Sequence, residues 1–208
     1  MNVKMAVLLS GAGRTLDNFY REIDEGKLPA EVVVVAASRP DALGLEKARS
    51  RGTPAFCVTR RDYIDAASYS EAIDKVMLPF KPDLIALAGF MHMYRVPDAY
   101  LGKAMNIHPA LIPAFCGKGY YGHHVHDAVL AYGAKVSGCT VHFADNRYDN
   151  GPIIIQRSVP VLEADTPDTL AARVFEQECI AYPEAIRLFA QRRLRIRGRR
   201  VIVTQAAT

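Results

Sequence analysis

The 208-residue chain has no run of about 18 apolar residues, so no membrane-spanning helix is expected and no membrane partner with it. Its first apolar run, MAVLLSGAG, gives way within a few residues to glycines and a polar segment. No small-residue cleavage site follows, so a secretory leader is not expected. Cysteine is sparse. Cys57, Cys116, Cys139 and Cys179 make no CxxC pair and no close cluster with histidine, which argues against a disulfide framework and for free thiols in a reducing cytoplasm. Repeats, low-complexity tracts and linkers are also missing. One domain over residues 1–208 is the expectation, divided into halves 1–100 and 101–208.

What is present is ordinary for a globular protein: 50% hydrophobic residues, 23% charged, and a net charge of +4. That charge is unevenly placed. The stretch RRLRIRGRR (192–200) holds six arginines, and without them the balance is 4 − 6 = −2. A basic tail is a nucleic-acid signal in general. Here Leu194 and Ile196 alternate with Arg193, Arg195 and Arg197, and VIV follows Arg200, which is the pattern of a two-sided hairpin with a solvated face. No nucleic-acid partner is expected.

Strand-like and helix-like segments alternate. VKMAVLL precedes a glycine turn and RTLDNFYREIDEG, in which Leu16, Phe19, Tyr20 and Ile23 fall at helical spacing. EVVVVAAS, AFCVT, DLIALAG and KAMNIHP read as further strands; PDALGLEKARSRG and a segment containing YSEAIDKVMLPF read as helices between them. HHVHDAVLAYG, then the strands GCTVHFAD and IIIQRSVPV around the loop NRYDNGP, then a long helix from Thr166 complete the pattern. Thr166 suits its N-cap and Pro167 its first turn. Continuous apolar runs in β-α-β order imply an α/β class: a mostly parallel, twisted sheet flanked by helices, Rossmann-like in its N-terminal half.

Four constellations carry chemistry. In LLSGAGRTL a strand ends, a glycine-rich turn follows and a helix starts, so free N–H groups and the helix dipole create an anion site. Gly11 and Gly13 allow close backbone approach, and Ser10, Arg14 and Thr15 add donors. The loop is neither a full GxGxxG nor a Walker loop, so a single phosphate monoester suits it better than a dinucleotide. Asn106 and His108 are two residues apart at a strand's C-terminal end, and therefore share one face. An amide and an imidazolium there can hold one developing oxyanion, and the imidazole can carry a proton. A carboxylate beside His108 would favour the imidazolium. Asp149 and Asp145, in one loop, both qualify, and both suit a plain turn; spacing does not choose between them. His123, His124 and His126 suggest zinc, but only His123 and His126 share a helix face and no carboxylate or cysteine completes a set, so no metal is expected.

SGAGRTL, DALGLEKAR, LAGFM, NIHPALIPAF, GCTVHF, YDNGPIIIQ and RVFEQECIAYP occur in this order. Together they resemble the folate-dependent formyltransferases, in the branch that acts on glycinamide ribonucleotide in purine synthesis, from residue 3 to about 197. The resemblance implies that family's fold and a direct formyl transfer from 10-formyltetrahydrofolate to the amine of the ribonucleotide, with small molecules as the only partners and a monomer or homodimer as the assembly. It implies Asn106, His108 and Asp149 as catalytic residues, preferring Asp149 to Asp145. Gly11, Ala12, Gly13, Arg14 and Thr15 would take the substrate phosphate and Glu178 the ribose. Leu87, Phe90, Met91, His92, Met93 and Tyr94, with Ala144 and Asn146 in a closing loop, would take the folate. His142 would stand behind the catalytic residues, and no metal would be used. The chain departs from the family's pattern at His92 and Ala66, where arginines are common, and at Thr15, where asparagine is. Hydrolysis of the same folate, formyl transfer to another acceptor, and a catalytically silent metabolite sensor are the competing readings. Pro109 after the motif histidine and the presence of all three catalytic residues speak against the first and the last.

Overall fold

The central strand of the first half is made almost wholly of apolar side chains, and the computed structural model, which describes residues 2–205, shows why. β1 (Val3–Leu9) pairs in parallel with β2 (Ala30–Ala37) on one side and with β4 (Leu84–Leu87) on the other. Met5 to Leu9 are therefore fully enclosed. Each such Val, Leu or Met contributes about 1.5–3 kcal/mol by leaving water, which is why no polar residue interrupts the run. β3 (Ala55–Cys57) adds to β2, giving the order β3-β2-β1-β4, all parallel. α1 (Arg14–Asp24) buries Leu16, Phe19 and Tyr20, as its spacing predicts.

The chain divides into two compact units, Met1–Met105 and Asn106–Thr208, and β5 (Ala104–His108) spans the junction in sequence. In the first unit α2 (Leu43–Ser50) and α3 (Ala66–Met77) complete the alternation. α2 begins three residues after Pro40 rather than at it, because Arg39 folds back onto Asp41 with contacts of 3.0 and 2.5 Å and Ala42 stays extended. Gly13 and Gly44 bring the two helix starts together. A Cβ on Gly13 would sit 2.8 Å from the Gly44 Cα, and Gly13 itself has φ 70°.

In the second unit the strand order is β5-β6-β7-β9-β8, with β6 (Val136–Phe143) and β7 (Ile153–Pro160) antiparallel. Their register slips between Val141 and His142, where β7 carries one extra residue, Ile154, between the two partners. α4 (His123–Tyr132) and α5 (Pro167–Ala190) pack on each other, and α5 covers β6 and β7. Thr166 caps α5 by accepting from the Thr169 N–H, and the Thr169 hydroxyl oxygen accepts from the Thr166 N–H in return. The arginine stretch forms the expected hairpin, β8 (Leu194–Arg197) and β9 (Arg200–Val203), joined to β7 at Ile153. The chain is thus of the α/β class with helices flanking the strands. Among the described residues no helix is long and apolar enough to cross a membrane.

Candidate active site

β5 ends in Asn106 and His108, and the loop between β6 and β7 supplies the acid. Asp149 Oδ2 lies 3.6 Å from His108 Nδ1, and Asp149 Oδ1 accepts from Asn106 Nδ2 at 3.4 Å. Asp145 is occupied elsewhere: it accepts from the Arg147 N–H at 2.9 Å and from Asn150 Nδ2 at 3.0 Å, which makes it the residue that shapes the loop. Asp149 holds φ 47°, an uncommon conformation for a residue with a side chain. The glycine two residues on explains the path. A Cβ on Gly151 would land on the Phe143 carbonyl oxygen, so the chain passes close over the end of β6.

His108 is buried and has an oxygen acceptor at each nitrogen. Nε2 donates to the Phe115 carbonyl at 2.8 Å, and Nδ1 faces the Asp149 carboxylate. A carbonyl oxygen only accepts, so Nε2 carries the proton of that contact. Asp149 Oδ2 also accepts from the Gly117 N–H at 2.9 Å. His142, near the end of β6, is neutral by its surroundings: burial pushes its pKa below the ordinary histidine value, against the upward pull of the Phe143 carbonyl. Its Nδ1–H donates to that carbonyl at 2.9 Å, which leaves Nε2 to accept from Asn106 Nδ2 at 3.2 Å. The tautomer of His142 therefore sets the orientation of the Asn106 amide.

In the first unit the turn Ser10–Gly13 opens α1, whose first N–H groups have no earlier carbonyl in the helix to bond. Gly11 has open space around it, while Gly13 holds the left-handed conformation that starts the helix. Thr15 is buried in the first turn and Arg14 is exposed beside it. Ser10 serves the fold instead of the loop's mouth: its hydroxyl oxygen accepts from Ser38 Oγ at 2.7 Å and from the Met91 N–H at 2.9 Å.

The model of the formyl transferase family matches residues 3–186. The chain belongs to the formyl transferase family. It is 38% identical over 198 residues to the chloroplastic phosphoribosylglycinamide formyltransferase of Arabidopsis thaliana, covering 93% of this chain and 68% of that protein. It is 32% identical over 196 residues to the phosphoribosylglycinamide formyltransferase of Haemophilus influenzae, covering 93% and 90%. The solved glycinamide ribonucleotide transformylase 1 of Symbiobacterium toebii superposes with a TM-score of 0.91 at 41% identity, over 98% of this chain and 95% of that one.

In this formyltransferase, segment 87–94 presents a mixed surface. Leu87 and Tyr94 are buried, Met91 is exposed, and Phe90, His92 and Met93 lie between. Phe90 stacks on Tyr69 with ring centroids 6.2 Å apart, and His92 meets both rings edge-on. Burial and the nearby Arg60 cation keep the His92 pKa below its ordinary value. The Tyr94 hydroxyl donates to Asp74 at 2.6 Å, and burial drives its pKa up, so that side chain anchors the segment to α3. In the second unit Ala144 is buried and Asn146 exposed, in the loop that carries Asp149. Glu178, half-buried on α5, lies close enough to Cys139 to add to the burial that pushes that thiol up to about 12. His126 is buried, and its pKa falls to about 4, first through burial; His123 lies 3.5 Å from Asp168. Among the described residues no three His, Cys, Asp or Glu side chains gather as metal ligands. Sequence reasoning missed Phe115 and Gly117, which act through backbone groups that carry no signal of residue type. It also missed Thr140 and Gln156, which tie down residues 110–112.

Proposed function

We propose that this formyltransferase moves the formyl group of 10-formyltetrahydrofolate onto the amine of glycinamide ribonucleotide. The observation that carries the reading is the cluster at the end of β5: Asp149 lies 3.4 Å from Asn106 and 3.6 Å from His108, joining one strand end to one loop. Family membership and the names of its relatives supply the substrates.

The amine nitrogen attacks the formyl carbon and a C–N bond forms. The carbonyl electron pair moves to oxygen and gives a tetrahedral oxyanion. Asn106 Nδ2 and His108 Nε2–H donate to it. The 3.4 Å bond from Asn106 to Asp149 is the longer of that amide's two contacts, and it is the one the oxyanion replaces. His108 Nε2–H transfers from the Phe115 carbonyl to the formyl oxygen. Asp149 complements the imidazolium and takes up the proton lost by the attacking amine. The oxyanion's electron pair then re-forms the carbonyl, the old C–N bond breaks, and the proton held by Asp149 passes to the departing folate nitrogen, which restores the carboxylate. Two aligned donors contribute about 3–4 kcal/mol each, and alignment of the two substrates about 7–11 kcal/mol. Gly11, Ala12, Gly13, Arg14 and Thr15 take the ribonucleotide's phosphate and Glu178 its ribose. Segment 87–94 with Ala144 and Asn146 takes the folate.

The test is the loss of a 10-formyl folate, followed by absorbance, with and without glycinamide ribonucleotide. Loss only with the ribonucleotide is expected. Loss in both tubes establishes hydrolysis instead, and loss in neither overturns the reading. His108→Ala and Asp149→Ala should each lose about a hundredfold or more in kcat while remaining folded. Near-normal turnover in both would sink the mechanism.

A further inference from the structure

We propose that Arg199, at the tip of the C-terminal hairpin, is a positioning residue for Asp149. The proposal rests on the formyl-transfer reading for its activity readout, and on geometry for the rest. The hairpin closes with a two-residue turn, Gly198–Arg199, because Arg197 pairs with Arg200 and Gly198 holds φ 58°. β9 joins β7 at Ile153 and Arg200, so the turn is tethered two residues beyond Gly151. From there the Arg199 guanidinium makes a two-point contact with Asn150: Nη2 donates to the backbone carbonyl at 3.0 Å and Nη1 reaches the side-chain oxygen at 3.4 Å.

Asn150 is the residue after Asp149. Its side-chain nitrogen donates to Asp145 Oδ2, and Asp145 Oδ1 accepts from the Arg147 N–H. Both ends of the Asn150 amide and its main-chain carbonyl are thus held. The loop base is closed by the bond from the Phe143 N–H to the Pro152 carbonyl, and Gly151 is pressed onto Phe143. The element in between that needs holding is Asp149, at φ 47°. A left-handed residue persists where its surroundings over-determine it. Arg199 supplies that constraint from the C-terminal side of Asp149, and Gly117 supplies it from the carboxylate's side. Guanidinium is suited to such a hold, because its fixed fork meets two oxygens at once where a lysine would meet one.

The experiment compares the intact chain with Arg199→Met, Asn150→Ala and the double variant. Steady-state turnover is measured, together with deuterium uptake of peptides covering residues 144–152. Arg197→Met, on the same hairpin, controls for charge. Arg199→Met should lower kcat roughly tenfold, leave KM for the ribonucleotide within about twofold, and raise uptake in the loop. Asn150→Ala removes the 3.4 Å contact but keeps the main-chain carbonyl that accepts from Nη2, so the double variant should lose more than Asn150→Ala alone but less than the two single losses combined. Arg199→Lys should recover part of the loss, and it stands in for Arg199→Met if that variant does not fold. Wild-type kcat in Arg199→Met overturns the proposal even if the loop exchanges faster. Additive losses in the double variant overturn it too, by showing that Arg199 acts elsewhere. An inactive parent chain refutes the formyl-transfer reading instead. The exchange data then still decide whether Arg199 holds the loop, and unchanged uptake rejects it.

Discussion

Thr140→Val changes one buried hydroxyl for a methyl of nearly equal volume, and the structure gives the cost. Thr140 lies on β6 with no exposure. Its Oγ1 donates to the Ala110 carbonyl at 2.7 Å and accepts from the Ile112 N–H at 3.1 Å and from Gln156 Nε2 at 3.0 Å. Gln156 Nε2 also donates to the Ile112 carbonyl at 2.9 Å, so it keeps a partner in the variant. The Ala110 carbonyl and the Ile112 N–H lose theirs. Each orphaned buried group costs about 1–3 kcal/mol, so the variant should lose about 2–6 kcal/mol, with relaxation favouring the lower half. If the hydroxyl only filled space, the change would cost under about 0.5 kcal/mol. Urea unfolding separates the two: at a slope of about 2 kcal/mol/M, a loss of about 3 kcal/mol moves the midpoint down by about 1.5 M. Thr140→Ser keeps the hydroxyl and should recover most of it. Residues 110–112 begin two positions after His108, so turnover should fall in Thr140→Val and recover in Thr140→Ser. A midpoint shift below about 0.3 M at unchanged slope would refute the hydrogen-bond argument.

Gly151→Ala puts a methyl on the Phe143 carbonyl, so residues 149–151 must move. A displacement near 1 Å at the Asp149 carboxylate should cost about a hundredfold in kcat with the far-ultraviolet circular dichroism unchanged; activity within about twofold of the parent would show that Asp149 need not be held. Stability should also fall with acid. His126 has an ordinary value of 6.5 and a folded value of about 4, through burial first, then the His123 cation, with Asp127 pulling the other way and His108 adding to the drop. Its folded pKa is depressed, so below about 6.5 the unfolded chain binds a proton that the native chain refuses. Stability present at pH 7 is lost between about 6.5 and 4, by about 3 kcal/mol, and the loss levels off below about 4. Unfolding free energies across that window should slope in the parent and flatten in His126→Asn; equal slopes would remove His126 as the cause.

The architecture was legible because burial on two faces leaves a plain mark. β1 and β2 read as near-continuous apolar runs, interrupted only at Lys4 and Glu31, since parallel neighbours flank β1 and helices cover β2. The start of α5 was legible from Thr166 and Pro167, whose chemistry is local. α2 was less so. Pro40 signals a helix start, but the Arg39 and Asp41 side chains bind each other and delay it to Leu43. The six-arginine stretch read correctly as a hairpin, because alternation is local. That Arg199 reaches Asn150, 49 residues away, is not, and no pattern within the stretch could show it.

The choice between Asp145 and Asp149 shows where the limit lies. Both are turn-forming acids in one loop, and residue type and spacing treat them alike. What separates them is tertiary: a left-handed φ at 149, a glycine at 151 pressed onto Phe143, and a backbone N–H at Gly117 that meets the Asp149 carboxylate. Phe115 is a second left-handed residue with a bulky side chain, φ 49°, and its carbonyl meets His108 Nε2. The register slip opposite Val141 and His142 is a third local irregularity, and the His142 ring beside it meets Asn106. The first two depart from what their residues prefer, and all three lie beside Asn106, His108 or Asp149. Left-handed residues also occur away from this cluster, at Lys81 and Arg192, and each persists where the surrounding contacts over-determine it. The same cause made these positions hard to read in the sequence and sets the direction of the three strongest tests, at Thr140, Gly151 and Arg199: each loosens a constraint on this cluster without touching a group proposed to meet substrate.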